Sequence, residues 1–335
     1  MKILITGVAG LLGSNLLKEL LDRGHQVTGL DDFSLGHSLN IAPFLSHPCF
    51  TFFQESILNI EKLEAASCDV EVIFHLAALK IPRYDGYLKT LEVNARGTEH
   101  VLECARKHGS RVIFASTDEV YGKNSEAIFS EGSTLVLGES RVERWSLAAS
   151  KIYGEQLCFA YAEKYNVSIS ILRYSGVYGP TFQLSRLSGV QDVFIYCALT
   201  GQPIPIHGDG TQSRPFTHIS DAMDATLKVL ETPYADAEVL NIGGGPTISV
   251  VNLAYLIWRV TGITRKPLLR FIPYSDFSRL YEDPQHRLVD GSKARYLLGY
   301  APKISLEEGM HLQVGWVRTH MGTIRESNPI FSLDT

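Results

Sequence analysis

K-I-L-I-T-G-V-A-G-L-L-G, residues 2 to 13, decides how the rest of the chain is read. Five mostly apolar residues run into Gly7, and a helical pattern begins at Leu11. That order is strand, tight turn, helix. Gly7, Gly10 and Gly13 follow the spacing G-x-x-G-x-x-G. Glycines there either make only a tight turn, or let the backbone approach a pyrophosphate at a helix N-terminus. On the second reading Leu11 and Leu12 lie beside the ligand.

Outward from this stretch the rhythm repeats. Short apolar runs at 26–31, 50–54, 72–76, 111–116 and 170–174 alternate with segments of three- and four-residue apolar spacing at 11–23, 90–108 and 147–164. Strand and helix alternating at these lengths predict an α/β fold, a Rossmann doubly wound parallel sheet. After about residue 175 Pro and Gly become frequent, as in G-Q-P-I-P at 201–205. The expected organisation is a dinucleotide-binding domain over 1–175 with a return near 215–245, a smaller C-terminal substrate-binding lobe in the remainder of 176–321, and a polar tail over 322–335.

Composition narrows the function class. The chain has 335 residues, 45% hydrophobic, with a net charge of -5. No block of like charges suits a nucleic acid, and no 18-residue apolar run suits a membrane span. Five cysteines without C-x-x-C spacing argue against a disulfide framework and a zinc site. With no cleavable signal peptide at the start, the expectation is a cytoplasmic protein with no metal.

The second apolar run ends in Asp31 and Asp32, where a carboxylate can accept hydrogen bonds from an adenosine ribose and would repel a 2′-phosphate. No arginine occurs between Arg23 and Arg83, so the expected cofactor is NAD rather than NADP. Asp31 could also be a solvated loop acid. Leu76, Ala77 and Ala78 follow the fourth run and fit close approach to a cofactor. His75 reads as structural; Asn94 is an orienting amide or a surface residue. Lys80 and Arg83 either meet a substrate anion or are solvated loop cations.

S-T-D-E-V-Y-G (116–122) caps the fifth run, placing a hydroxyl and two carboxylates where an open sheet binds its ligands. Together with S-K at 150–151, L-R-Y-x-x-V-Y-G-P at 172–180 and G-D-G-T-Q-S-R-P-F-T at 208–217, it resembles the extended short-chain dehydrogenase/reductase family, in particular nucleotide-sugar epimerases and dehydratases. The resemblance runs through 290–303. It implies an NAD enzyme that passes a nucleotide sugar, a UDP-sugar favoured, through a transient 4-keto form, and that pairs as a homodimer through two helices per chain.

Residue by residue, the resemblance implies Thr117 and Lys151 for catalysis, with Lys151 also on the nicotinamide ribose. It implies Asp118 and Glu119 as acid and base of a dehydration, Glu119 taking the C5 proton. Thr117, Arg214 and, in Q-H-R-L-V-D, Arg287 would contact substrate. Two positions depart. The tyrosine of the family's Y-x-x-x-K is Leu147 here, and the asparagine before V-Y-G-P is Gly176. Neither Trp145 nor Tyr153 replaces the tyrosine. Three readings stay open: another group is the base, the enzyme is impaired, or the fold only binds its ligands. R-W-S-x-A-x-S-K (144–151) and A-A-L-K-I-P-R-Y (77–84) resemble UDP-glucuronate decarboxylases and 4-epimerases, which leaves the reaction open as well.

Overall fold

The computed structural model describes residues 1–80, 86–182, 189–276, 282 and 284–327. The first half builds β1 (Lys2–Thr6), α1 (Leu11–Asp22), β2 (Gln26–Leu30), β3 (Phe50–Phe53), α2 (Ile60–Ala66), β4 (Val72–His75), α3 (Tyr87–Leu91), α4 (Gly97–His108), β5 (Arg111–Thr117), α5 (Trp145–Tyr165) and β6 (Ile169–Tyr174). The second half adds β7 (Val177–Tyr178), α6 (Val190–Thr200), β8 (Ile204–His207), β9 (Ser213–Pro215), β10 (Thr217–His218), α7 (Ile219–Glu231), β11 (Glu238–Ile242), β12 (Thr247–Ser249), α8 (Val250–Val260), β13 (Leu269–Ile272), α9 (Ser292–Leu298) and α10 (Leu306–Ser327).

Seven parallel strands form one sheet in the order β11-β6-β5-β4-β1-β2-β3. The order reverses between β1 and β4, and open sheets bind ligands at such a switch point. Strand side chains alternate between the faces. Ile3, Ile5 and Phe74 pack with Leu16, Leu17 and Leu20 of α1 and Ala222 and Met223 of α7. Leu4, Ile73 and Phe114 pack on the other face with Leu63, Val101, Leu102 and Cys158. Both faces are covered, which is why the strands read as continuous apolar runs. β11, although it follows α6 and β8 in the chain, pairs parallel with β6 and forms one edge of the sheet.

The lobe has a core of its own, built around Phe194, Ile204, Ile206, Leu253, Ile257, Trp258, Val314 and Val317. α10 continues to Ser327, past the boundary at 322 set for a polar tail, and Ile324 within it is fully buried. Ile324 joins the same buried cluster as Met310, Val314 and Val317, which composition alone does not show.

Two features position the site. Between α3 and α4 the helix has one π turn, Glu92–Arg96, which puts Asn94 inside. In α5, a Cβ on Gly154 would stand 2.6 Å from the Phe114 ring, so the glycine lets this helix lie close to β5 and carry Lys151 under the strand ends.

Candidate active site

One crevice of ≈ 1060 Å³ runs across the carboxyl ends of the strands. Gly7, Gly10, Leu11, Leu12, Gly13, Asp31, Asp32, Leu76, Ala77, Ala78, Lys80, Thr117, Asp118, Glu119, Leu147, Arg214 and Arg287 all line it. Arg83 lies outside the described residues. Lys151 sits below the floor: it is 5% exposed, and its Nζ donates to Ala115 O at 2.6 Å.

At one end the constraints are steric. Gly7 has φ +75°, and a Cβ on it would meet Ala77 N at 2.7 Å. On Gly13 a Cβ would fall 2.2 Å from Gly7 O. Gly10 caps α1 without a side chain, so the first N–H groups of the helix keep their donors for a ligand. Buried Asp31 accepts from Ala9 N at 2.9 Å and from Phe33 N at 2.8 Å, tying the glycine turn to the end of β2. Burial pushes its carboxyl up, and those two N–H groups pull it back. Each oxygen accepts one of these bonds and keeps further acceptor capacity, and Asp31 lines the crevice. Exposed Asp32 and neighbouring Glu55 add acid. Of the described lining residues over 30–36 and 55–57, none is Lys or Arg. This end therefore fits a dinucleotide whose adenosine ribose is unphosphorylated.

His75 bridges Thr6 Oγ1 at 2.9 Å and Thr98 Oγ1 at 3.0 Å and is fully buried. Thr98 gives its own proton to Asn94 O, so it accepts from Nε2–H and leaves Nδ1 to accept from Thr6. Burial first, and the Lys151 charge second, push His75 down to about 3, so it stays neutral. It is structural. Asn94 is no surface residue: its amide spans Leu79 N and O at 2.8 and 3.0 Å and gives a bond to Ser150 Oγ at 3.1 Å. It fastens the loop after β4 to α5 beside Lys151.

At the other end the constraints are electrostatic. Glu119 Oε1 takes Arg287 Nη1 at 2.5 Å, and its Oε2 takes Arg144 Nη2 at 3.1 Å. Burial alone would raise its carboxyl; Arg144 and Arg287 override this and bring it down to about 2. Asp118, 5% exposed, accepts from Ser175 Oγ at 2.7 Å and lies 3.7 Å from Arg287 Nη1. Burial wins there and the carboxyl is raised. Thr117 Oγ1 accepts from Glu119 N at 3.3 Å and faces Asp118 at 3.4 Å. Arg214, on β9, donates to Ser213 O at 2.7 Å, and its charge reaches both acids. Lys151 is pushed down to about 8 by burial, against the opposing charges of Cys158 and Glu155, with its ammonium 4.7 Å from the centre of the Phe114 ring. One turn further on, Glu155 forms a buried pair with Arg173 at 2.6 and 2.9 Å.

Leu147 lines the crevice one turn before Lys151. Among the described lining residues the tyrosine is Tyr174, whose hydroxyl is bonded to Thr226 Oγ1 at 2.7 Å. Tyr153 sits outside, 40% exposed, its hydroxyl on Glu99. Gly176 has a steric reason: φ is +57°, and a Cβ would stand 2.0 Å from Pro215 O. An asparagine tolerates that φ but not that carbonyl. Arg144, Asp192 and Gln212 also line the crevice and were not singled out from sequence. Arg144 had a signal, the basic residue beside Trp145 in the quoted flank. The other two read as ordinary polar positions.

A dinucleotide crevice on a seven-stranded parallel sheet, lined by Thr117 and with Lys151 buried beneath its floor, agrees with what sequence comparison finds. The "NAD dependent epimerase/dehydratase family" pattern matches residues 3–243. The chain belongs to this family. It is 33% identical over 323 residues to a UDP-N-acetyl-alpha-D-glucosaminuronate decarboxylase of Bacillus cytotoxicus, covering 95% of this chain and 98% of the relative. A UDP-glucuronic acid 4-epimerase from Bacillus cereus, solved with UDP-glucuronic acid and NAD, superposes with a TM-score of 0.84 at 31% identity, over 95% of this chain and 99% of that one. The dTDP-glucose 4,6-dehydratase DesIV from Streptomyces venezuelae, solved with NAD, gives a TM-score of 0.86 at 28% identity, over 96% and 98%. Among the described residues no His, Cys, Asp and Glu cluster could hold a metal, and no helix is long and apolar enough to cross a membrane.

Proposed function

We propose that this protein converts a UDP-linked hexuronate through a 4-keto form and releases carbon dioxide from it. The observation that carries the reading is the ion-pair clamp on Glu119. NAD, held by Gly7, Gly10, Gly13, Asp31 and the 76–78 loop, supplies the reversible hydride acceptor. Lys151 takes the proton of the sugar 4-hydroxyl. Its value near 8 leaves about one in ten as free amine at pH 7, in the range useful to a general base. That assignment replaces the tyrosine whose position, by resemblance, is Leu147. Thr117 donates toward the same oxygen, and Arg214 holds the diphosphate.

Once C4 is a ketone, the C5–carboxylate bond can break with its electron pair moving into the carbonyl; the enolate so formed takes a proton at C5, and the restored ketone takes back the hydride at C4. No C5 proton has to be removed. Dehydration needs that removal, and the resemblance assigned it to Glu119. A carboxylate at about 2 between two guanidiniums is a poor base at neutral pH, so this setting speaks against that role. The same cations suit a uronate: as the substrate carboxylate enters, Arg144 can exchange Glu119 for it. The decarboxylase among the relatives supports the same reading.

The test is incubation with NAD and UDP-glucuronate, followed by mass and product separation. Loss of carbon dioxide is expected. An isomer of unchanged mass would reassign the chain to 4-epimerisation, and loss of water to dehydration. Silence that Leu147→Tyr relieves would make it an impaired enzyme. Silence in both, with ligands still bound, would make it a binding protein. We also propose a homodimer: Leu88, Tyr87, Tyr153 and Phe159 on α3 and α5 are 75, 50, 40 and 40% exposed, and a second copy would cover them. Light scattering of the eluting protein decides this.

A further inference from the structure

We infer that Arg173 is a positioning residue for Lys151: it holds the Glu155 carboxylate in a two-bond fork and so keeps it from pairing with the lysine one turn earlier on α5. The inference rests on the proposed role of Lys151 and deepens it. Lys151 and Glu155 are four residues apart on one helix, a spacing at which opposite charges commonly pair. Here they do not. Arg173 Nη2 donates to Glu155 Oε2 at 2.6 Å and Nε donates to Oε1 at 2.9 Å, and Ser116 Oγ adds a third bond to Oε1 at 2.5 Å. The guanidinium is anchored in turn, because Nη1 donates to the Tyr121 hydroxyl at 3.0 Å and to Glu131 O at 3.3 Å. Arg173 and Glu155 are both buried, so water does not compete for either.

Two buried cations thus face one carboxylate, and the competition has a definite outcome. A guanidinium binds a carboxylate through two parallel N–H bonds and does not give up its proton. Lys151 is left with Ala115 O at 2.6 Å and the Phe114 ring at 4.7 Å, and among the described residues no carboxylate forms an ion pair with it. The other elements around it add no free counter-ion. β4 presents neutral His75, and the π turn presents the Asn94 amide through Ser150. At the end of β5, Asp118 and Glu119 are held by Ser175, Arg144 and Arg287. On α5 itself the other titratable group is Cys158. A buried ammonium without a counter-ion is the charge that gives up its proton most easily. A buried ion pair is often no more stabilising than apolar residues of its volume. Withholding Glu155 from Lys151 gives this pair a reason to be there.

The test is the titration of Lys151 itself, by carbon-detected magnetic resonance of lysine labelled beside its amine, assigned with Lys151→Met. In the unaltered protein the midpoint is expected at about 8. Arg173→Met releases Glu155, and an opposite charge that close should raise the midpoint by about 1–3 pH units. Turnover at pH 7 should then fall about 10-fold or more and recover at higher pH, which a packing defect would not do. Arg173→Gln, which keeps a donor but not the charge, carries the same expectation should Arg173→Met fail to fold. Arg173→Met combined with Glu155→Met removes both charges, and the rise should vanish. A midpoint that stays put in Arg173→Met and Arg173→Gln, or a rise that persists in the double variant, overturns the inference. A midpoint that rises while the rate profile stays in place supports the inference and removes Lys151 as the base, so that only the proposed role of Lys151 falls.

Discussion

The two ends of the crevice are built by different physics. At the cofactor end, position is fixed by backbone and by the absence of side chains: Gly7 against Ala77 N, Gly13 against Gly7 O. At the substrate end, long charged side chains from distant segments hold one another. Arg144, Glu119 and Arg287 come from three parts of the chain and meet within 3.1 Å. The first end is rigid and specific for shape. The second is a set of ion pairs among side chains, and the proposed function requires that they exchange an internal carboxylate for a ligand's without moving the first end.

Perturbing each end separately sharpens this contrast. The largest effect is expected at the junction. Lys151→Met should lower turnover by about 10²–10⁴-fold. NAD binding should persist in calorimetry, because the glycine turn is untouched; its complete loss would mean that Lys151 serves the cofactor alone. Next comes the steric end. Gly13→Ala drives a methyl into Gly7 O, and overpacking of about 1–3 kcal/mol should weaken NAD roughly 10- to 100-fold while UDP binding stays constant. Equal weakening of both ligands would erase the distinction between the ends.

The electrostatic end should respond the opposite way. Arg144→Gln removes one of the two cations on Glu119, so this carboxyl should rise from about 2 toward 4.5, followed by carbon-detected titration of labelled Glu. The variant should lose affinity for UDP-glucuronate and little for UDP-glucose, by a factor that shrinks as salt rises. The smallest expected effect is on acid stability. Glu119 has its folded-state value depressed, so its contribution is present above about 4.5 and is lost as pH falls toward 2. Glu119→Gln should flatten that part of the acid-unfolding curve, and an unchanged curve would show that the clamp adds no stability.

The same contrast explains what the sequence revealed. Steric constraints print locally, as glycines at fixed spacing beside apolar runs, so the sheet, the first helix and the cofactor turn were legible from residues 2–31. Thr117, Asp118 and Glu119 were legible as a strand end. The clamp was not: Arg144 and Glu119 are 25 residues apart and Arg287 is 168 from Glu119, and nothing in their spacing shows that they meet. Asn94 was ambiguous because an i, i+4 reading cannot foresee a π turn that rotates it inward. Gly176 looked like a lost contact and is a packing requirement set by Pro215. That Glu155 pairs with Arg173 was not legible either, since in sequence Lys151 is the nearer cation.

The measurement that tests the account most directly is the pH dependence of kcat/KM for UDP-glucuronate with saturating NAD, with the product identified by mass. The account predicts loss of carbon dioxide and a rate that climbs through a single ionisation near 8 as Lys151 becomes free amine. A rate independent of pH from 6.5 to 9, or a product formed by loss of water, would contradict it.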